Sequence, residues 1–507
     1  MFKQKVRVRA NRPRPLVAPL AGINAVSPLM ALRENECVVM ENFFPASDGL
    51  AVRTGYVSHT TGIANPVDRL WVYSQPSGGE QLFATTAAGV YNVTSAGTVG
   101  ASLISLTDGE TSSSSISTGA GSYLFLANGT DTVKLYDGTT WSSVATFGAI
   151  ASSNFSYVET YRQRVYFVKK NSLELEYLSP NSIAGATTNY PLGAIFRRGG
   201  YIVALGTWTI DGGTGPEDNL VVITSQGEVA VFAGTLPSDT SLWKERGVYY
   251  VGKPLGKAPL YKWGGDILIL SENGLYPLSA AVQSAAIDRT QAVSDKIKPF
   301  FNVAAGLYSA NKGWQVIADP LAPYLLVNVP STPVRKQFVM NTQTKAWTTF
   351  TGWSARCFAR KGQEIYFGTD TGVKRVNGVS DEGANIFANF LQAPSRLGML
   401  ETKKVELLKP YISQNGGFSY SLALAPNLGD PIEYSNIAAR GNVTAATWGT
   451  GVFGSAVWTG ETGIDQNWQT VADDYSLWKA FYLSIITNNA NIRYFGADLL
   501  VVPGGNL

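Results

Sequence analysis

The stretch 219–279 constrains the fold more than any other, because it states one pattern twice. Leu220-Val221-Val222-Ile223 is an apolar run, Thr224-Ser225-Gln226-Gly227 a polar turn, and Glu228–Phe232 an alternating run that stops at Gly234. After a Trp/Tyr-rich segment the pattern returns: Ile267–Leu270, then Ser271-Glu272-Asn273-Gly274, then Leu275–Leu278. Runs of β-branched and aromatic residues broken by a Gly-containing turn read as β-hairpins. A lone hairpin cannot bury its face, so the repetition implies stacked neighbours.

The same signature recurs through the middle of the chain. It appears at Leu82–Val93 around Gly89, at Tyr123–Tyr136 around Gly129, and at Val165–Leu178 around Asn171. It appears again at Tyr324–Phe338, and at Ile365–Val376 around Gly372. Asp137-Gly138 and Asn341–Lys345 are further turns, leading to Trp141 and Trp347. That makes about seven units, roughly 45 residues apart, the spacing of a β-propeller with six or seven four-stranded blades. Such a ring leaves only short sheet edges. Composition agrees: 15% charged residues and 52 glycines favour an all-β chain with many tight turns. The expected fold class is a β-propeller plus a second, β-sandwich-like platform domain with few short helices.

Several function classes recede on composition. The net charge of +3 over 507 residues does not suit a chain built to wrap nucleic acid. One histidine, His59, and two cysteines, Cys37 and Cys357, leave little for a soft-metal site and make no disulfide framework. The cysteine usage fits assembly in a reducing compartment. No run approaches the roughly 20 apolar residues of a membrane span, and Pro13, Pro15, Pro19 and Pro28 interrupt any apolar core of a secretory signal.

Residues 1–19 form a basic arm, with Lys3, Lys5, Arg7, Arg9, Arg12 and Arg14 and no acid before residue 15. It reads either as a solvated terminus or as a grip on an acidic neighbouring surface. Residues 20–65 read as a docking segment: a loop, one short helix and a strand from Leu50 into Tyr56, pinned by Phe43, Phe44 and Tyr56. The propeller then occupies 66–383, with Ser112–Ser115 as a polar surface loop. A helical insert lies near 288–306, where Pro299 opens the helix, Phe300 and Ala304 share a face, and Gly306 stops it. Phe300 is a candidate subunit contact. Residues 384–507 form the C-terminal platform, with strands at Leu407–Ser413, Phe418–Ala425 and Phe481–Thr487. The first two are joined at Asn415-Gly416-Gly417. Trp448, Trp458, Trp468 and Trp478 fill its core and edges or, Trp458 foremost, mark an interface.

The order Gly22-Ile23-Asn24, Ser27-Pro28, Glu41-Asn42-Phe43-Phe44-Pro45 and Arg53-Thr54-Gly55-Tyr56 resembles the start of the tail nozzle proteins of short-tailed bacteriophages, also called tail tubular protein B or the tail hub. With the hairpins and the C-terminal end, the resemblance spans most of the chain. It implies a structural virion protein without enzymatic activity or cofactor. Such proteins form a homohexameric ring on a tail adaptor protein, carry fibres or spikes, meet a plug or needle, and pass viral DNA during ejection without tight binding or stable membrane insertion. The implied location is the virion tail, and the host cytoplasm during assembly. The assembly contacts it suggests are Arg7, Arg9, Arg12, Arg14, Phe43, Phe44, Phe300 and Trp458.

The alternative is a glycan-binding or glycan-cleaving propeller of a virion. Its carboxylates would come from Asp131, Glu159, Asp211, Asp218, Asp266 and Glu272, but no spacing pairs them. Asp137-Gly138-Thr139-Thr140-Trp141 approaches a sialidase Asp-box once and lacks its residue between Asp and Gly. Asp211-Gly212-Gly213-Thr214-Gly215 lacks the Lys-Ser/Thr end of a phosphate loop. No catalytic, cofactor or metal residue is assigned.

Overall fold

The computed structural model describes residues 13–75, 78–211, 216–284, 292–414, 418–425, 435–440, 463–465 and 467–504. The chain forms two compact units: residues 1–56, 339–351 and 377–507, and residues 57–338 and 352–376.

The second unit is a seven-bladed β-propeller, counted over the described residues. Its inner strands are Arg69–Ser74, Ser112–Thr118, Phe155–Tyr161, Ile202–Asp211, Leu260–Trp263, Gln315–Ala318 and Cys357–Lys361. From Ser112–Thr118 onward neighbours in this list lie side by side, Trp71 of the first strand donates to Thr111 Oγ1 at the start of the second blade (2.7 Å), and Cys357–Lys361 lies beside Arg69–Ser74, so the ring closes. In the last blade, the outer strand Tyr56–Thr61 comes from the start of the unit and pairs beyond Gly372–Val376. Closing the ring with strands from both ends of the unit makes every blade depend on the last.

Each hairpin of the sequence is the second and third strand of a blade. Leu220, Val222, Ala230 and Phe232 pack toward one neighbouring blade, Val221, Ile223, Val229 and Val231 toward the other. These strands are covered on both faces, hence the near-continuous apolar runs. The inner strands differ, and Ser112–Ser115 shows why. It is no surface loop but the start of the second blade's inner strand. Ser112 Oγ donates to the Ala127 carbonyl (3.1 Å) and accepts the Val158 N–H (3.1 Å). Ser114 Oγ donates to Thr160 Oγ1 at 2.9 Å. The hydroxyls join adjacent blades along the channel, which a sequence scan for apolar runs reads as loop.

The helical insert begins earlier than expected and runs further. Leu278 does not end a strand; it opens helix α1 (Leu278–Ser284). Helix α2 is Lys298–Tyr308, with Pro299 in its first turn. Gly306 lies inside α2 rather than at its end, in ordinary helical conformation, and a Cβ there would meet nothing within 4 Å. Gly306→Ala should therefore stabilise the chain by about 0.5–1 kcal/mol, read as a raised urea midpoint.

The first unit is a two-sheet sandwich. One sheet orders Phe43–Ala46, Gly49–Val52, Arg493–Pro503, Lys403–Gln414 and Gly463–Asp465, with Arg14–Val17 along Arg493–Pro503. The other carries Trp347–Phe350, Cys37–Glu41, Ile386–Gln392, Ala480–Thr487, Phe418–Ala425 and Ser435–Arg440. Phe43 and Tyr494 of the first sheet meet Phe390 and Phe481 of the second, with centroids 5.3–6.1 Å apart. Lys403–Gln414 and Phe418–Ala425 thus lie in different sheets and form no hairpin. The apolar run Cys37–Met40 lies in a strand, Cys37–Glu41, and residues 339–351 join this unit because Thr349 pairs with Glu41. The described helical turn before it, Leu29–Ala31, is 3-10.

Phe43 and Phe44 are 0% and 3% exposed, so they are core residues and not docking contacts. Arg14 belongs to a strand, and its guanidinium bonds the Leu397 carbonyl, so it is no part of a free arm. Arg7, Arg9, Arg12, Trp448 and Trp458 lie outside the described residues.

Arg53 organises this sandwich. At 1% exposure it holds Asp381 in a bidentate pair (2.8 and 2.6 Å), while Nε donates to Asn42 Oδ1 (2.9 Å) and the Thr351 carbonyl (3.0 Å). Removing one partner of such a pair strands a buried charge. Arg53→Met or Asp381→Asn should each lower the stability of this unit by about 3–5 kcal/mol in urea unfolding.

Candidate functional site

The hairpin turns between second and third strands, and the connectors between blades, fall on one face of the propeller, because strands in each blade alternate in direction. A cavity of about 860 Å³ opens there. Its floor includes Glu110, Ser156 and Lys257, its rim Lys170, Asn171, Tyr201, Lys253, Glu272 and Asn273. Helix α2 forms one wall with Asn302, Ala305, Gly306 and Ser309, four residues on one face at helical spacing. The opposite face of α2 is apolar and open: Phe300, Val303 and Leu307 are 36%, 61% and 67% exposed.

Lys257 sits deepest. Its Nζ donates to the carbonyls of Glu110 (2.8 Å) and Asn128 (3.0 Å), bracing the connector between the fourth and fifth blades against the second. Burial pushes its pKa down to about 8, against the pull of Glu110 and Asp108. Beside it a chain of ion pairs crosses the ring closure. Lys312 holds Asp108 (2.6 Å) and approaches Asp68 (3.7 Å), and Arg356 holds Asp68 (2.8 Å) and Asp370 (3.0 Å). Burial raises the Asp108 carboxyl, but the hydrogen bonds of Lys312 and the Glu110 N–H outweigh it and hold the pKa below its ordinary value.

The carboxylates singled out in the sequence scatter. Asp131 accepts from the Thr107 N–H and hydroxyl, the Asp108 N–H and Asn128 Nδ2, so its oxygens bind a loop. Asp218 accepts from Thr209, and Asp266 from Ser279. Asp137 accepts from the N–H and hydroxyl groups of both Thr139 and Thr140, which holds its pKa far down and makes the Asp-box-like segment a capped turn. Asp211 side-chain placement and the loop 212–215 lie outside the description. Glu272 alone of the six lines the cavity. Sequence reasoning missed Glu110, Lys257 and Lys312, which lie on irregular connectors without a motif. Among the described residues, no three or more of His, Cys, Asp and Glu are grouped to hold a metal ion, and no helix is long and apolar enough to cross a membrane. Cys37 and Cys357 are both buried, and neither is in a disulfide among the described residues.

Glu159 lies on the inner strand of the third blade. It is half-buried, and desolvation raises its pKa to about 8 despite the Thr160 N–H and Lys262. Its folded pKa exceeds the ordinary carboxylate value, so the native state holds the extra proton between the two and loses stability as pH rises from about 4.5 to 8. Glu159→Gln should remove that slope: the variant gains on the parent at pH 8 relative to pH 5 in thermal unfolding.

No protein-family model matches the chain, and no curated protein is similar to it. Solved structures are similar to part of the chain. BBS1N in complex with ARL6DN is 11% identical, covering 64% of this chain and 96% of that one, with a TM-score of 0.39. The β-propeller domain of Cps50 (Swd1) from Myceliophteria thermophila is 12% identical, covering 63% and 98%, with a TM-score of 0.39. U3-55K is 9% identical, covering 62% and 96%, with a TM-score of 0.38.

Proposed function

We propose that this chain is a non-enzymatic structural protein of a virion, the nozzle of a short phage tail, six copies of which form a ring on the tail adaptor and carry fibres or spikes. The observation that carries the reading is where the family-like residues go. Gly22, Asn24, Asn42, Phe43, Phe44, Arg53 and Gly55 all serve the sandwich. Asn24 Oδ1 caps the Ser27 N–H, and its Nδ2 donates to Glu36. Gly22 approaches Trp347 so closely that a Cβ would lie 2.5 Å from its carbonyl oxygen. A segment spent on rigid architecture and not on chemistry suits a wall. The near-neutral charge also suits a conduit, since each neutralised phosphate adds affinity and would slow passing DNA. The exposed stripe on α2 offers surface for assembly.

The test is electron microscopy of particles carrying this chain, with copy number from quantitative mass spectrometry. Density at the distal end of the tail, at half the copies of a twelvefold portal, is expected. Copies matching peripheral spikes, or none, would sink the nozzle reading. The cavity favours a second reading, a propeller that binds glycan, with Glu272 and Glu110 as its carboxylates.

A further inference from the structure

Resting on the second, glycan-binding reading and not on the nozzle, we infer that the cavity takes an anionic saccharide, a sugar bearing a carboxylate or phosphate, with the acid seated on Arg69 and Lys257. Arg69 begins the inner strand of the first blade and is 2% exposed. Among the described residues none of its three side-chain nitrogens has a hydrogen-bond partner, and its ion partner is Glu110 Oε1 at 3.5 Å. A guanidinium carries five N–H donors in a planar fork, and burying them unused is strongly unfavourable unless a ligand completes them.

Its position follows from its ion partner: Nη2 lies 3.5 Å from Glu110 Oε1, and Glu110 lines the cavity together with Lys257, so Arg69 stands directly behind that floor, near enough for its charge to reach Lys257. Lys257 gives two protons to carbonyls and keeps a third. Lys170 likewise donates to a carbonyl, that of Gly129, at 2.7 Å. The lining holds four lysines against two glutamates, so an incoming anion meets surplus positive charge.

The upper walls suit a polyhydroxylated body. Tyr201 is 44% exposed on the rim and offers a ring face to sugar C–H groups. The Asn171, Asn273 and Asn302 amides can each donate to and accept from hydroxyls. The volume lies within the range of small-molecule sites.

Calorimetric titration of the full chain tests this. The probes are a galacturonic acid trisaccharide, a sialylated trisaccharide, glucose 6-phosphate, maltotriose, inorganic phosphate and a short thymidine oligonucleotide. At least one acidic sugar should bind, and its affinity should fall tenfold or more in Arg69→Gln and in Tyr201→Ala. Tyr201→Ala alters a rim residue and spares the fold; Gly306→Phe, which fills open cavity space, should block binding without touching either anion-binding residue. Near pH 8 binding should take up protons, because an anion beside Lys257 raises its pKa against the opposing charges of Arg69 and Lys312. Equal binding of maltotriose would keep the glycan reading and overturn the acid seat. Phosphate binding as tightly as the sugars, or tighter binding of the oligonucleotide, would overturn the saccharide. Silence from every sugar would overturn both the inference and the glycan reading.

Discussion

A buried arginine must find partners for five N–H donors, and Arg53 finds them on three stretches far apart in sequence. Asp381 takes two, Asn42 and the Thr351 carbonyl share Nε, and the neighbouring Thr54 carbonyl takes another at 3.1 Å. Asn42 is itself held in the left-handed region at φ 57°, where its Nδ2 reaches Thr351 Oγ1 and the Phe387 carbonyl and its Oδ1 accepts the Thr351 N–H. Neither side chain is satisfied unless all three stretches are in place. The sandwich is assembled from discontinuous chain, and such a polar lock adds to the register that its buried apolar face already imposes.

The propeller solves the same problem by repetition. Each blade buries both faces against its neighbours, and specificity is needed only where repetition ends. There the chain places Arg356 and Lys312 between Asp68, Asp108 and Asp370, and pairs Tyr56–Thr61 with the final blade. The closure thus carries a denser set of charged contacts than the apolar joints between the middle blades, where clusters such as Tyr166, Leu220 and Trp243 suffice.

The sequence was legible where burial is two-sided. All seven hairpins marked by apolar runs are the second and third strands of blades, where both faces are covered by neighbouring blades. Inner strands such as Ser112–Thr118 were read as loop, since a channel wall rewards hydroxyls that bond across blades. The sandwich hairpin Phe43–Ala46 with Gly49–Val52 was mistaken for a docking segment, because its aromatic partners Phe390 and Tyr494 lie hundreds of residues away. Gly306 was read as a helix stop by its type alone; next to an open cavity a glycine has a different use, leaving room. The cavity was illegible because its members come from connectors, where position is set by the ring and not by local pattern.

A ring built this way always leaves an axis, and what fills the axis separates a scaffold from a binding protein. Apolar side chains would fill a propeller that only supports its rim. This one instead carries Arg69, Tyr157 and Glu159 on its inner strands, with Lys257 and Glu110 on the connectors that line the cavity. Charged groups there weaken the ring unless they are matched. Glu159 answers by holding its proton to about pH 8, and Lys257 by giving hydrogen bonds to two carbonyls. Among the described residues Arg69 donates no side-chain hydrogen bond, and its counter-charge, Glu110, stands 3.5 Å away. An unmatched arginine below a polar cavity is the arrangement expected where stability has been traded for a ligand. The sandwich and the propeller axis are therefore separate solutions in one chain, the first locked by a satisfied buried arginine and the second carrying one that the protein leaves poorly matched.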